Sequence, residues 1–134
     1  MLNTKVPKNV NKSQPLNVYT PKTISLLTIL KKANTDLTNA KRNYIQANNL
    51  LLTKKEESLT LYKHYEEFSN INKTNKNPDI SQQINKLKAN SNKAYKEYKI
   101  AIYNHEKIQK DYISCMEDYI LHSKNFTDTY IANL

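Results

Sequence analysis

The sequence predicts an all-α fold, a long antiparallel helical hairpin of the coiled-coil type. Apolar residues recur at steps of three and four along most of the chain, which is the spacing of one helix face. The 134 residues include no Gly and little Val, which disfavours tight turns and strands. One polar break, NINKTNKNP at 70–78, divides the apolar pattern near its middle.

The predicted elements follow from helix-start signals. Residues 1–20 contain lysines and no acidic residue, and we expect a flexible basic tail. Thr20 and Pro21 supply a hydroxyl N-cap and a proline at the first helical position, and Asn77 and Pro78 repeat this signal. The expected elements are a helix at 21–69, a tip loop at 70–77 and a helix at 78–132.

Both predicted helices keep heptad spacing, which is typical of coiled coils. In the first helix the two core sets are Leu30, Leu37, Tyr44, Leu51, Ser58 and Tyr65, and Ala33, Ala40, Ala47, Lys54, Leu61 and Phe68. In the second helix they are Ile84, Ser91, Tyr98, His105, Tyr112, Tyr119 and Phe126, and Leu87, Ala94, Ala101, Ile108, Cys115 and His122. An antiparallel hairpin then places Leu51 near Tyr98 and Leu30 near Tyr119. The alanines allow the helices to approach closely.

A second apolar stripe runs beside the heptad core. It includes Ile45, Leu52 and Leu59, which are spaced by seven residues. Two helices cannot cover so wide a stripe, and an exposed apolar patch indicates a partner. We expect a homodimer, or docking on further chain; the alternative is that lysine stems cover the stripe. The predicted dimer-interface residues are Leu52, Leu59, Ile102, Ile113, Met116 and Ile120.

Residues that carry enzyme chemistry are few. Cys115 is the only cysteine, so no intramolecular disulfide forms and a reducing, cytoplasmic compartment is expected. His105 and His122 occupy core positions 17 residues apart, and we expect buried, hydrogen-bonded histidines rather than metal ligands. We predict no enzymatic activity, no catalytic residue, no metal and no cofactor. No apolar run reaches the length of a membrane span, and the first residues lack an apolar h-region, so we expect no secretory signal peptide.

The net charge of +9 is unevenly distributed. Residues 70–99 carry seven lysines against two acidic residues, whereas residues 100–134 carry three lysines against five. Such a basic cluster suits lipid headgroups or nucleic-acid phosphates, although the single Arg disfavours base readout. The alternative is charge that serves solubility only and is enlarged by AT-rich codon usage. The predicted lipid-headgroup contacts are Lys73, Lys76, Lys86, Lys88, Lys93, Lys96 and Lys99.

Two stretches resemble the F-BAR (Fes/CIP4 homology) domain. KKANTDLTNAKRNYIQA (31–47) is similar to the Ala, acid and Tyr rhythm of the second core helix of that family. INKLKANSNKAYKEYKIAIYNHEKIQKDYISCMEDYILHSKNF (84–126) is similar to its third helix, and NINKTNKNP lies where that family turns at its wing tip. The resemblance covers about residues 24–130. The family's first helix has no counterpart in the Pro- and Asn-containing stretch 1–20, so the resemblance implies either a fragment of such a domain or a reduced relative that lacks part of the dimer core.

The resemblance implies a dimeric helical module that is cytoplasmic and peripheral at membranes. It also implies binding to anionic phospholipids and a role in membrane curvature, endocytosis or linkage to actin and endocytic proteins. The competing hypothesis is a coiled-coil interaction or structural protein without a membrane role. Neither hypothesis includes a small-molecule substrate.

Overall fold

The fold is all-helical, as predicted. A computed structural model describes residues 19–74 and 77–134, except the side chain of Thr74. Helix α1 spans Pro21–Thr74 and helix α2 spans Pro78–Ala132, and no strand occurs within the described ranges. The two helices form a hairpin. The predicted tail at 1–20 lies outside the described residues except for Tyr19 and Thr20.

Both helices begin where the capping signals predict. The Thr20 hydroxyl accepts a hydrogen bond from the Thr23 backbone N–H at 3.3 Å, and the Thr20 carbonyl accepts one from Ile24 N–H at 2.9 Å. At the start of α2, the Asn77 side-chain oxygen accepts a hydrogen bond from Asp79 N–H at 2.9 Å. These bonds satisfy first-turn donors that have no partner within the helix.

Helix α1 continues to Thr74, beyond the predicted end at 69. Residues 70–74 contain neither Gly nor Pro, so nothing in this stretch breaks the helix. The Asn72 side chain accepts a hydrogen bond from Asn77 N–H and donates one to the Ser81 hydroxyl, each at 3.4 Å. Asn72 therefore joins the end of α1 to the start of α2, and the connection is shorter than the predicted loop at 70–77.

The chain divides into two compact units. The loop unit comprises residues 42–110, and the terminal unit comprises residues 1–41 and 111–134. In the loop unit the Tyr44 and His105 rings lie 5.4 Å apart, and Lys54 Nζ lies 3.0 Å from Glu97 Oε1. In the terminal unit the Tyr19 and Tyr130 ring centroids lie 5.9 Å apart. Each unit therefore contains an antiparallel segment of α1 and α2.

The helix register agrees with the predicted one. In the loop unit, the predicted pair Leu51 and Tyr98 lies between the Tyr44–His105 and Lys54–Glu97 contacts along the helices. In the terminal unit, one cavity is lined by α1 residues around Leu30 and by α2 residues around Tyr119. The neighbours that line it are Ile29, Ala33, Asp118 and His122.

The most buried positions of the heptad core hold small residues. All the predicted core residues are buried or half-buried except Phe68, which is 38% exposed. The buried members are small, because two helices alone can enclose a small side chain but leave part of a large one in solvent. They are Ala33 and Ala40 in the terminal unit, and Ser58, Ser91, Ala94 and Ala101 in the loop unit.

Candidate functional site

The loop unit has an apolar face. Leu59, Tyr62 and Tyr95 line one open groove of about 450 Å³ between α1 and α2, together with Lys55 and Tyr98. Residues seven positions apart lie on the same face of a coiled-coil helix, so the groove assigns the two apolar stripes to one side of the unit. We call this side the apolar face of the loop unit. It consists of Ile45, Leu52, Leu59, Tyr62, Tyr95 and Ile102.

The apolar face is largely open to solvent. Leu52 and Leu59 are each 60% exposed, and Tyr62 and Tyr95 are each 50% exposed. Ile102 is half-buried. The negative charge of Glu66 raises the pKa of the Tyr62 hydroxyl, and the hydrogen bond between the two side chains raises it further. Side chains of this size at this exposure are an unusually apolar surface for a single chain.

The opposite side of the loop unit carries charged residues next to the exposed apolar residues Leu50 and Ile100. A groove of about 570 Å³, called the polar groove, is lined there by Glu57, Lys93 and Glu97 among other residues. Lys54, which occupies a core heptad position, reaches this side and lies 3.0 Å from Glu97 Oε1 and 3.4 Å from Glu57 Oε1. Its hydrogen bond to Glu97 holds the pKa of Glu97 below its usual range and raises the pKa of Lys54. A lysine is compatible with this core position because its aliphatic chain packs in the core while its ammonium group lies at the edge, next to Glu57 and Glu97.

The Lys54–Glu97 ion pair makes stability depend on pH. Since the pKa of Glu97 is lowered on folding, the stabilisation is full above the ordinary Glu pKa of about 4.3 and is lost as the pH falls through the lowered value. We expect Glu97→Gln to be less stable than the wild type at pH 7, and this difference to disappear in acid. Urea unfolding at a series of pH values measures it. Glu67→Gln, at an exposed position of α1, serves as the control; an equal pH dependence in both variants would contradict the assignment.

The core histidine of the loop unit, His105, contacts two side chains of α1. His105 is half-buried, as predicted, and its Nε2 donates a hydrogen bond to the Asn48 side-chain oxygen. Its ring also packs against Tyr44. Within residues 19–74 and 77–134, no group of three or more His, Cys, Asp or Glu side chains is arranged to hold a metal ion.

The terminal unit combines exposed apolar residues with an acidic cavity. Of the predicted dimer-interface residues in this unit, Ile113 is 44% exposed, Ile120 is 66% exposed and Met116 is half-buried. A cavity of about 210 Å³ is lined by Cys115 and its acidic neighbours Asp36 and Asp118. Burial raises the pKa of the Cys115 thiol, and nearby aspartates raise it further. Cys115 is therefore protonated and weakly nucleophilic at neutral pH.

The predicted lipid-binding lysines do not share one helix face. All are exposed, apart from Lys76, which lies outside the described residues. Lys86, Lys93 and Lys96 lie away from the core, and Lys93 also lines the polar groove. Lys88 lies seven residues before Tyr95 and therefore shares the apolar face.

Two further lysines contribute to the apolar face. Lys99 Nζ lies 5.0 Å from the centre of the Tyr95 ring, a cation–π distance. Lys55 lines the apolar groove, and the sequence reasoning did not select it. Lys55 could have been found from the sequence, because it lies seven residues before Tyr62 and therefore on the same stripe. Lys55, Lys88 and Lys99 thus add positive charge to the apolar face, next to the acidic Glu66, which is hydrogen-bonded to Tyr62.

Charge differs between the two units. The described residues of the loop unit, 42–74 and 77–110, carry twelve Lys and Arg against seven Asp and Glu, a net charge of +5. The described residues of the terminal unit, 19–41 and 111–134, carry five of each sign. The positive charge of the described helices is therefore concentrated in the loop unit.

Neither described helix has a stretch apolar enough to cross a membrane. No protein-family profile matches the chain, and comparison with curated proteins and with solved structures gives no match.

Proposed function

We propose that this chain is an F-BAR-like helical scaffold that binds anionic phospholipid surfaces through the lysines of its loop unit. The observation that carries the proposal is the charge difference between the described parts of the two units, +5 in the loop unit against zero in the terminal unit. Lys86, Lys93 and Lys96 are exposed on the side of α2 away from its core, where a flat anionic surface can reach them.

Lysine chemistry favours a lipid surface over a nucleic-acid sequence. An ammonium group is a compact point charge that attracts headgroup phosphates without a fixed geometry, and each lysine near an anionic leaflet contributes about 1 kcal/mol. Reading of bases relies instead on bidentate Arg, and Arg42 is the single arginine of the chain. The resemblance to F-BAR domains extends the proposal to peripheral, cytoplasmic work in membrane curvature, endocytosis or linkage to actin.

A second candidate is a coiled-coil interaction protein without a membrane role. The exposed apolar face of the loop unit favours it, because Leu52, Leu59, Tyr62 and Tyr95 form a surface suited to another protein. In this candidate the positive charge serves solubility.

Co-sedimentation with vesicles tests the proposal. We expect the full chain to sediment with phosphatidylcholine vesicles that contain phosphatidylserine or a phosphoinositide, and to stay in solution with phosphatidylcholine alone. Binding should weaken with salt, because the Debye length falls from about 10 Å at 0.1 M to about 3 Å at 1 M. Absence of sedimentation with anionic vesicles at low salt would reject the membrane function and leave the second candidate.

A further inference from the structure

We propose that the apolar face of the loop unit binds an acidic amphipathic helix of a partner protein. The inference rests on the second candidate function, an interaction protein, and does not depend on lipid binding. The site is the central segment of the apolar face, which runs from 52 to 62 on α1 and from 88 to 99 on α2. Its residues form four pairs spaced by seven positions: Leu52 and Leu59, Lys55 and Tyr62, Lys88 and Tyr95, and Asn92 and Lys99.

The shape of the central segment fits a helix. Leu59, Tyr62 and Tyr95 line its groove of about 450 Å³, and the small buried residues Ser58 and Ser91 leave room between them. A helix that lies along this groove presents apolar side chains every three to four residues and can place them between the exposed walls. Because the segment spans ten residues of α1, or about 15 Å, a partner helix of about three turns covers it.

The charged residues of the central segment are all lysines. Lys55 borders the groove on α1, and Lys88 and Lys99 lie on α2, so positive charge is present on both edges. Lys99 Nζ also lies 5.0 Å from the centre of the Tyr95 ring, which keeps this ammonium group beside the apolar surface. A helix whose apolar stripe is flanked by Glu or Asp therefore meets an opposite charge on each edge.

The nearest acidic residues lie outside the central segment. Glu66, which is hydrogen-bonded to Tyr62, lies at its loop end, and Glu106 lies seven residues beyond Lys99 at the other end. Glu57 lines the polar groove on the opposite side of the unit. The positive charge is thus uninterrupted over the length that one short helix covers.

The central segment does not complement a second copy of itself. A second copy that presents the same segment adds three more lysines and no acidic residue, so like charges face one another. An acidic helix supplies the charge that is missing. The homodimer expected through Leu52 and Leu59 is the competing occupant, and the experiment below measures it.

Two synthetic peptides that differ only in charge test the site. Each carries about three heptads with Leu at the two apolar positions, and the positions beside them hold Glu in one peptide and Lys in the other. We expect the fluorescein-labelled Glu peptide to bind the full chain at least about tenfold more tightly than the Lys peptide, as measured by fluorescence anisotropy at about 0.1 M salt. Similar affinities for the two peptides would overturn the charge complementarity.

Variants with exposed apolar residues locate the binding. Leu59→Asp puts a carboxylate into the groove and should raise the Kd of the Glu peptide at least about tenfold. Leu50→Asp is the matched control, because Leu50 is an exposed leucine on the opposite side of the same unit, and it should leave Kd within about twofold. Equal effects of the two substitutions would overturn the assignment to this face.

Charge variants separate the site from general attraction. Lys55→Glu/Lys99→Glu should reverse the preference, so that the Lys peptide binds more tightly than the Glu peptide. Lys86→Glu/Lys96→Glu makes the same change in net charge off the apolar face and should keep the original preference. Reversal by both double variants would indicate unspecific attraction and overturn the site.

Two further measurements distinguish this inference from its alternatives. Absence of binding by either peptide would overturn it, and so would a dimer in sedimentation equilibrium that Leu59→Asp dissociates, because a second copy would then occupy the face. Anionic vesicles report on lipid binding alone. A chain that binds the Glu peptide but not these vesicles would reject the membrane function and support the docking site.

Discussion

Replacing Lys86, Lys93 and Lys96 together with Glu is expected to abolish binding to anionic vesicles. The three reversals take the net charge of the described part of the loop unit from +5 to −1. At about 1 kcal/mol for each lysine near an anionic leaflet, the loss of attraction alone corresponds to about a hundredfold in affinity, and the new carboxylates add repulsion. Vesicle co-sedimentation at 0.1 M salt measures the loss, and far-UV circular dichroism checks that the helices remain.

The control is a second reversal on the same helix. Lys107→Glu/Lys110→Glu changes two exposed lysines at the other end of the loop unit, and we expect a clearly smaller loss per charge. Because Lys93 lines the polar groove with Glu57 and Glu97, its reversal adds a carboxylate to an acidic site. Lys86→Glu/Lys96→Glu avoids this and should still weaken binding at least tenfold. Equal loss per charge in all variants would indicate unspecific attraction and contradict a defined basic surface.

Local signals predicted the helix starts but not the end of α1. A hydroxyl or amide side chain followed by Pro satisfies first-turn donors whatever surrounds it, so Thr20–Pro21 and Asn77–Pro78 could be read from sequence. The end of α1 depends on contacts of Asn72 with Asn77 and Ser81, which only the folded connection brings together. An Asn-rich stretch therefore looked like a loop although its first part is helical.

Heptad spacing also predicted the residues of the core, including Lys54, the one charged residue among them. The spacing placed Lys54 in the core, and the structure shows that its ammonium group reaches Glu57 and Glu97 at the edge. Spacing within one helix could not show that the stripes of α1 and α2 lie on the same side. That depends on the register between the helices, and the groove lined by Leu59, Tyr62 and Tyr95 establishes it.

The lysines were the least predictable feature. Their enrichment in residues 70–99 follows from composition, but helix geometry distributes them around α2. Lys88 and Lys99 belong to the apolar face, whereas Lys86, Lys93 and Lys96 lie off it. The sequence alone therefore shows which segment is rich in lysine. The face of α2 on which each lysine lies depends on the helix geometry, which turns the chain by about 100° per residue.

The close approach of the helices in the terminal unit makes Ala40→Leu strongly destabilising. Ala40 is the most deeply buried alanine of the described core, at 4% exposure, and a larger side chain at such a position forces the packed helices apart. Overpacking of this kind costs about 1–3 kcal/mol. Urea unfolding followed by circular dichroism gives the difference from the wild type. Protein concentration is kept the same in every sample, so that self-association, if it occurs, does not contribute to the measured difference.

Ala89→Leu separates packing from helix propensity. Ala89 is an exposed residue of α2, so the same substitution changes the intrinsic helix preference equally but meets no facing helix. We expect its free energy of unfolding to stay within about 0.5 kcal/mol of the wild-type value. If Ala40→Leu were tolerated as well as Ala89→Leu, the helices would have room for a leucine at this layer. The small-residue core would then reflect composition rather than a requirement for close helix packing.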